Sequence, residues 1–149
     1  MNIKALEDIT SLKELVDMIS ILADKKDVHT QAQLFSENAT SETFVGDTAI
    51  LKLKGRKEME EAFRDFLKDF DTVYHLNGQQ TVTINGDNAT GTSYCLVTLI
   101  GTENGKKMKT TIGVIYHDDF VRENNRWLIA RRIGNFDWQE KREVNHIDY

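Results

Sequence analysis

The chain has 149 residues, with 19 Lys and Arg against 24 Asp and Glu and a formal charge of −5 at pH 7. Hydrophobic residues at 40% and charged residues at 29% exclude a disordered or membrane-embedded class, and the acidic balance argues against a nucleic-acid binder, which needs a basic surface. The length suits one domain over residues 1–149 that buries its own core without a staple.

The only cysteine, Cys95, excludes an internal disulfide framework and a cysteine-rich zinc site. The N-terminus lacks a basic region followed by an apolar stretch. Apolar runs are far shorter than the roughly 20 residues that span a bilayer. These features point to the cytoplasm. Proline is absent, so helices and strands can run without forced breaks.

Ile3, Leu6, Ile9, Leu12, Leu15, Val16, Ile19, Leu22 and Ala23 recur at helical spacing. Ser11 with Glu14 has the capping-box pattern, which predicts a regular helix from Ser11 after a separate lead-in turn. Asp27 is an N-cap for a short second helix carrying Val28, Ala32, Leu34 and Phe35. Thr40, Thr43, Phe44 and Val45 read as strand, Gly46-Asp47 as turn, and Ile50, Leu51 and Leu53 as a second strand. A third helix follows from about Arg56 to Phe70, with Met59, Ala62, Phe63, Phe66, Leu67 and Phe70 on one face.

From Thr72 onward, turn signals at Asn85-Gly86, Asn104-Gly105 and Asn124-Asn125 separate four long strands. This predicts an antiparallel meander. Helices first and strands after give an α+β fold. A meander has two faces and these helices cover one. That predicts a homodimer through the sheet, with Val97, Leu99, Ile115 and Val121 as residues that would need such burial.

Several segments carry a resemblance to a known family. They are Leu22-Ala23-Asp24-Lys25-Lys26-Asp27, Leu34-Phe35-Ser36-Glu37-Asn38-Ala39-Thr40, Gly55 with its following helix, Val73-Tyr74-His75-Leu76, Gly113-Val114-Ile115-Tyr116-His117-Asp118 and Arg126-Trp127-Leu128-Ile129-Ala130-Arg131. In this order the chain, over roughly residues 9–140, resembles the SnoaL-like branch of the nuclear-transport-factor-two-like superfamily. The resemblance implies a cone-shaped, strongly curved, mostly antiparallel sheet wrapped around three N-terminal helices, with an apolar pocket inside. It also implies dimers through the outer face of the sheet and chemistry without a cofactor.

Within that resemblance, His75 matches the catalytic histidine of scytalone dehydratase-like enzymes and Asp24 the aspartate that pairs with it. Such a histidine can move a proton beside a carbonyl, with the carboxylate fixing its tautomer. The family's tyrosines are not carried over: Ala23 stands where one belongs, and Thr43 or Phe44 near the other. No second histidine occurs near Lys106–Lys109. Tyr94, Tyr116 and Asn135 are the alternative sources of a polar group. Phe44, Phe63, Phe66, Phe70, Tyr94, Ile112, Val114 and Trp127 are expected to line a pocket, to form core, or both; Asn135 is included as a ligand contact.

His117 lies beside Asp118 and Asp119, but alternation divides these side chains between two faces, so no metal site is expected. His29 and His146 read as surface residues, and the tail His146–Tyr149 as frayed or docked on a partner. Cys95 reads as a small buried residue. One of Arg131 and Arg132 faces inward, toward Asp118 or an acidic ligand group. Two functions remain: an enzyme of acid–base type, performing dehydration, isomerisation or ring closure on a small apolar or amphipathic molecule, and a non-catalytic binding or assembly module of the same fold.

Overall fold

In the computed structural model, which describes residues 2–145, Asn2 caps the first helix by accepting the Ala5 N–H at 2.8 Å. Helix α1 then runs unbroken over Ile3–Asp24. The expected break before Ser11 does not occur, because Asp8 is drawn into the core. Its carboxylate accepts Arg122 Nη1 at 2.6 Å and Trp127 Nε1 at 3.2 Å, tying the first turns to the sheet. The buried stripe is Leu12, Leu15, Val16, Ile19, Leu22 and Ala23, as helical spacing predicts.

Helix α2 spans Val28–Ala32, capped by Asp27 through the Thr30 N–H at 3.3 Å. Phe35, expected on this helix, instead opens strand β1 (Phe35–Val45), where it pairs with Ile129. Strand β2 (Thr48–Lys54) completes a hairpin through Gly46, whose φ is +60°. Helix α3 covers Gly55–Leu67. It stops short of Phe70, which pairs with Gly101 and starts strand β3 (Phe70–Asn85). Strands β4 (Asn88–Glu103), β5 (Lys106–Glu123) and β6 (Arg126–Glu143) form the predicted meander with it. Its last two turns have positive φ at both central residues, Asn104-Gly105 and Asn124-Asn125, as type I′ requires. In the first turn only Gly86 has positive φ.

The six strands form one sheet in the order β2-β1-β6-β5-β4-β3. All neighbours are antiparallel except β1 and β6, which run parallel. The sheet curves around the helices as an α+β cone. Register shifts at Thr43/Phe44, Asn77/Gln80 and Gly113/Val114 mark bulges, which bend strands and increase twist. Gly113 is required by close approach: a Cβ there would lie 2.1 Å from Trp138 Nε1.

Two apolar clusters fill the concave side. One packs Leu12, Val16, Phe35, Met59, Phe120 and Ile129. The other contains Ala23, Leu67, Val73, Val97, Leu99, Ile112 and Val114. Val97 and Leu99, named above for the outer face, thus face inward; they share a sheet face with His75 and Ile112. Ile115 lies on the outer face in a shallow groove with Tyr94, Leu96 and Trp138, and Val121 is half-buried. No helix of the described residues is long and apolar enough to cross a membrane. The tail His146–Tyr149 lies outside the described residues.

Candidate active site in the cone

The end of α1 aims a carboxylate at the sheet. Lys26 takes a left-handed conformation, φ +58°. Its N–H donates to Ala23 O at 2.9 Å, and the Asp27 N–H donates to Leu22 O at 2.9 Å. This is a Schellman closure, which needs a left-handed residue just past the helix. The Lys26 ammonium also donates to the Phe70 carbonyl at the start of β3. Helix end and strand are thereby held together.

Asp24 meets His75 across this junction. Asp24 Oδ1 lies 2.6 Å from His75 Nδ1, and Asp24 Oδ2 accepts the His75 backbone N–H at 3.2 Å. The side chains are 26% and 12% exposed. A carboxylate at Nδ1 places the imidazole proton there and leaves the Nε2 lone pair free. Next along the helix, Asn77 donates to Asp17 Oδ1 at 3.0 Å and to Ser20 Oγ at 3.1 Å, fixing β3 against α1.

His75 forms part of the wall of a cavity of about 340 Å³ between helices and sheet. Phe63 and Phe66 from α3, and Val97, Leu99, Ile112 and Val114 from the sheet, give it an apolar lining. Ile50 and Leu51 contribute from β2 and, like Phe66, remain largely exposed, so they form the mouth.

Of the residues named from sequence, His75, Phe63, Phe66, Ile112 and Val114 border this cavity, whereas Asp24, Phe44, Phe70, Tyr94 and Asn135 do not. Alternation along β1 leaves Thr43 on the wall, while Phe44 pairs with Asn135 across the β1–β6 ladder. Phe70 packs behind the wall on Phe66, ring centroids 5.6 Å apart. Tyr94 points outward, because its neighbour Cys95 takes the inward position. Phe66 is 49% exposed, so it rims the cavity. Trp127 belongs to the solid core.

The cavity also has a polar wall. Arg132 donates to Asp118 through Nε at 2.8 Å and Nη2 at 3.0 Å, both groups buried. The guanidinium carbon lies 3.8 Å from the centre of the Tyr116 ring. Burial alone would pull the Arg132 guanidinium down; the Asp118 carboxylate outweighs it, so the group stays above its ordinary value and charged. Burial pushes the Tyr116 phenol up, so it stays a protonated donor. Arg132 is the inward member of the expected pair; Arg131 is exposed. Period-two alternation from Val114 through Tyr116 to Asp118 was the signal for this wall.

Glu42 also borders the cavity, from β1, whereas the other histidines and the cysteine lie elsewhere. His117 points outward, its Nδ1 3.3 Å from Thr92 Oγ1. His29 sits 2.6 Å from Glu60 at the surface, and His146 lies outside the described residues. Burial pushes the Cys95 thiol up to about 11, so it is protonated near neutral pH. Among the described residues no three His, Cys, Asp or Glu side chains gather in a metal-sized group.

Residues 4–133 match the SnoaL-like domain family, and the chain belongs to that family. No curated protein matches the sequence. Among solved structures, the chain is similar to a scytalone dehydratase candidate from Novosphingobium aromaticivorans, with TM-score 0.83 and 16% identity over 97% of this chain and 94% of that one. It is also similar to a hexachlorocyclohexane dehydrochlorinase from Novosphingobium barchaimii, with TM-score 0.77 and 16% identity over 97% and 95%. A Mycobacterium tuberculosis protein of unknown function matches with TM-score 0.75 and 21% identity over 97% and 76%. At these identities the likeness is one of fold.

Proposed function

We propose that this SnoaL-like domain takes a small apolar or amphipathic molecule into the cone and catalyses a cofactor-independent elimination on it. The observation that carries the reading is His75, which lies on the wall of an apolar cavity with the Asp24 carboxylate 2.6 Å from its Nδ1. Asp24 holds a proton on Nδ1, so Nε2 is the base. It removes a proton from a carbon next to one bearing a hydroxyl or halide. The C–H electron pair becomes the new double bond, and the leaving group departs with its own bonding pair. A departing hydroxide takes the proton back from the imidazolium and leaves as water; when a halide departs as the anion, the imidazolium gives that proton to solvent. The Asp24 carboxylate stabilises the imidazolium between these steps. Arg132 and Tyr116 supply donors for charge that develops on oxygen or halide. Isomerisation and aldol-type ring closure begin with the same proton removal.

The names of two structural neighbours, a dehydratase candidate and a dehydrochlorinase, support elimination over the other two. A second reading, a non-catalytic binding module, draws on Ala23 and Thr43. Both line the cavity where the resemblance leads one to expect phenols. The same proposal joins two copies through the outer face of the sheet, where Leu76, Tyr94, Leu96 and Trp138 are exposed. It places the protein in the cytoplasm, where a lone thiol such as Cys95 stays reduced.

Water loss from β-hydroxy aryl ketones and chloride release from polychlorinated cyclohexanes, assayed with wild type and His75→Ala, test the enzyme reading. Turnover by the wild type with a loss of about 10²–10⁴-fold in the variant supports it. Binding without turnover by either protein leaves the binding module.

A further inference from the structure

Three buried side-chain atoms have no hydrogen-bond partner among the described residues: Gln31 Oε1, Gln80 Nε2 and Ser93 Oγ. Gln31 alone of these residues also borders the cavity. It sits on α2, between α1 and α3, and is 7% exposed. A buried carbonyl oxygen without a donor is a standing cost to the empty protein, since it has given up water and gained nothing. An apolar side chain of the same length would fill this position without that cost.

A trapped water does not answer the need. A buried water requires two to four polar partners. The side chains that α1 and α3 bring to the cavity, Ala23, Ala62, Phe63, Phe66 and Leu67, offer none; its other polar lining comes from the strands. With only apolar side chains beside it on α1 and α3, the Gln31 oxygen is served by a donor that enters the cavity.

We infer that Gln31 is a specificity-determining residue whose carboxamide oxygen accepts a hydrogen bond from a hydroxyl or N–H of the bound molecule. The inference rests on the small-molecule reading above and narrows it: the ligand carries a hydroxyl or an N–H and is not a bare hydrocarbon. A site built around such a bond rejects the analogue that lacks the donor, because the protein atom is then left buried and unpaired. Gln31 touches no reacting atom in this account. It selects and orients.

The test uses the full chain and two matched probe pairs, 1- and 2-naphthol against 1- and 2-methylnaphthalene, with affinities measured by equilibrium dialysis for wild type and Gln31→Met. Methionine keeps the length of the side chain and removes both amide atoms. The naphthol preference of at least one pair is expected to fall about tenfold or more in the variant. Comparing ratios between the two proteins cancels the different hydration of hydroxyl and methyl probes. A second measurement needs no ligand: the empty variant is expected to melt about 2–6 °C higher, because it no longer buries an unpaired carbonyl. Unchanged probe ratios in the presence of binding overturn this inference and leave the small-molecule reading standing. A lower melting temperature overturns it too, since the amide would then be part of the packing. If none of the four probes binds the wild type, the small-molecule reading falls and takes this inference with it.

Discussion

Asp24 holds His75 by two bonds at once, one carboxylate oxygen at the ring Nδ1, 2.6 Å away, and the other on the backbone N–H at 3.2 Å. The double contact fixes ring orientation as well as tautomer, because backbone and imidazole share one anchor. Asp24→Asn keeps the shape but offers the ring an amide N–H₂ as well as a carbonyl. We expect nitrogen-15 spectra of the neutral His75 ring to show the Nδ1–H form in the wild type and a marked gain of the Nε2–H form in the variant. Identical tautomer ratios in the two proteins would remove the basis for His75 as a base.

The Arg132–Asp118 pair predicts an asymmetry in stability. Removing one partner of a buried ion pair strands the other charge, which costs about 3–5 kcal/mol. Asp118→Leu alone should lose about that much in urea denaturation. Asp118→Leu combined with Arg132→Met should recover most of it, since a packed apolar pair carries no desolvation penalty. A double variant as unstable as the single one would show that the guanidinium is held by partners other than Asp118.

Asp8 links stability to acid. Burial would raise its pKa, but the bonds from Trp127 and Arg122 outweigh burial and hold the carboxyl below its ordinary value of 3.8. A depressed folded value means that the contribution is complete above the unfolded value and fades as pH falls through the folded one. Urea midpoints measured from about pH 6 down to pH 2 should therefore fall more steeply for the wild type than for Asp8→Asn. Parallel acid limbs would mean that Asp8 is no better stabilised in the folded chain than in the unfolded one.

The hairpin turns were readable because left-handed backbone is chemically selective: Asn104-Gly105 and Asn124-Asn125 adopt it in pairs. The stripe on α1 was readable for the same local reason, since spacing alone sets which face is buried. The unbroken course of α1 through Ser11 was not, because Asp8 finds Arg122 and Trp127 more than a hundred residues away. Cavity-lining positions failed where a strand's facing was taken one residue out of step: Ser41 and Thr43 hold the inward positions of β1, so alternation turns Phe44 to the other face. Asp24 and His75 were found through family resemblance. Gln31 carried no sequence signal, because an amide on a short helix looks like an ordinary surface residue until its burial is seen.

Two phenylalanines separate rim from core. Phe35 is 1% exposed and its ring centroid lies 6.2 Å from that of Phe63. Phe66 is half exposed at the mouth and leans on Phe70. Phe35→Ala should cost about 3–5 kcal/mol through lost transfer and an internal void. Phe66→Ala should cost about 1–1.5 kcal/mol, in line with half the burial and a gap open to solvent. Equal losses in chemical denaturation would mean that the mouth is closed in solution.

The outer face of the sheet yields the last prediction. Leu76, Tyr94, Leu96, Ile115 and Trp138 border one shallow groove there, and four of them are exposed. Contiguous exposed apolar side chains mark an interaction surface. A twofold dimer through this groove would place the same patch against itself, so one substitution acts twice. Leu96→Glu would set two carboxylates at a shared interface, while in a lone protomer it would alter only a side chain already 40% exposed. Light scattering over a dilution series should therefore show a dimer for the wild type and a monomer for Leu96→Glu. The melting temperature of the monomeric variant should then lose the concentration dependence that association imposes on the wild type. A wild type that is monomeric at high micromolar concentration would assign the groove to some other partner, and a variant that still dimerises would move the interface elsewhere on the surface.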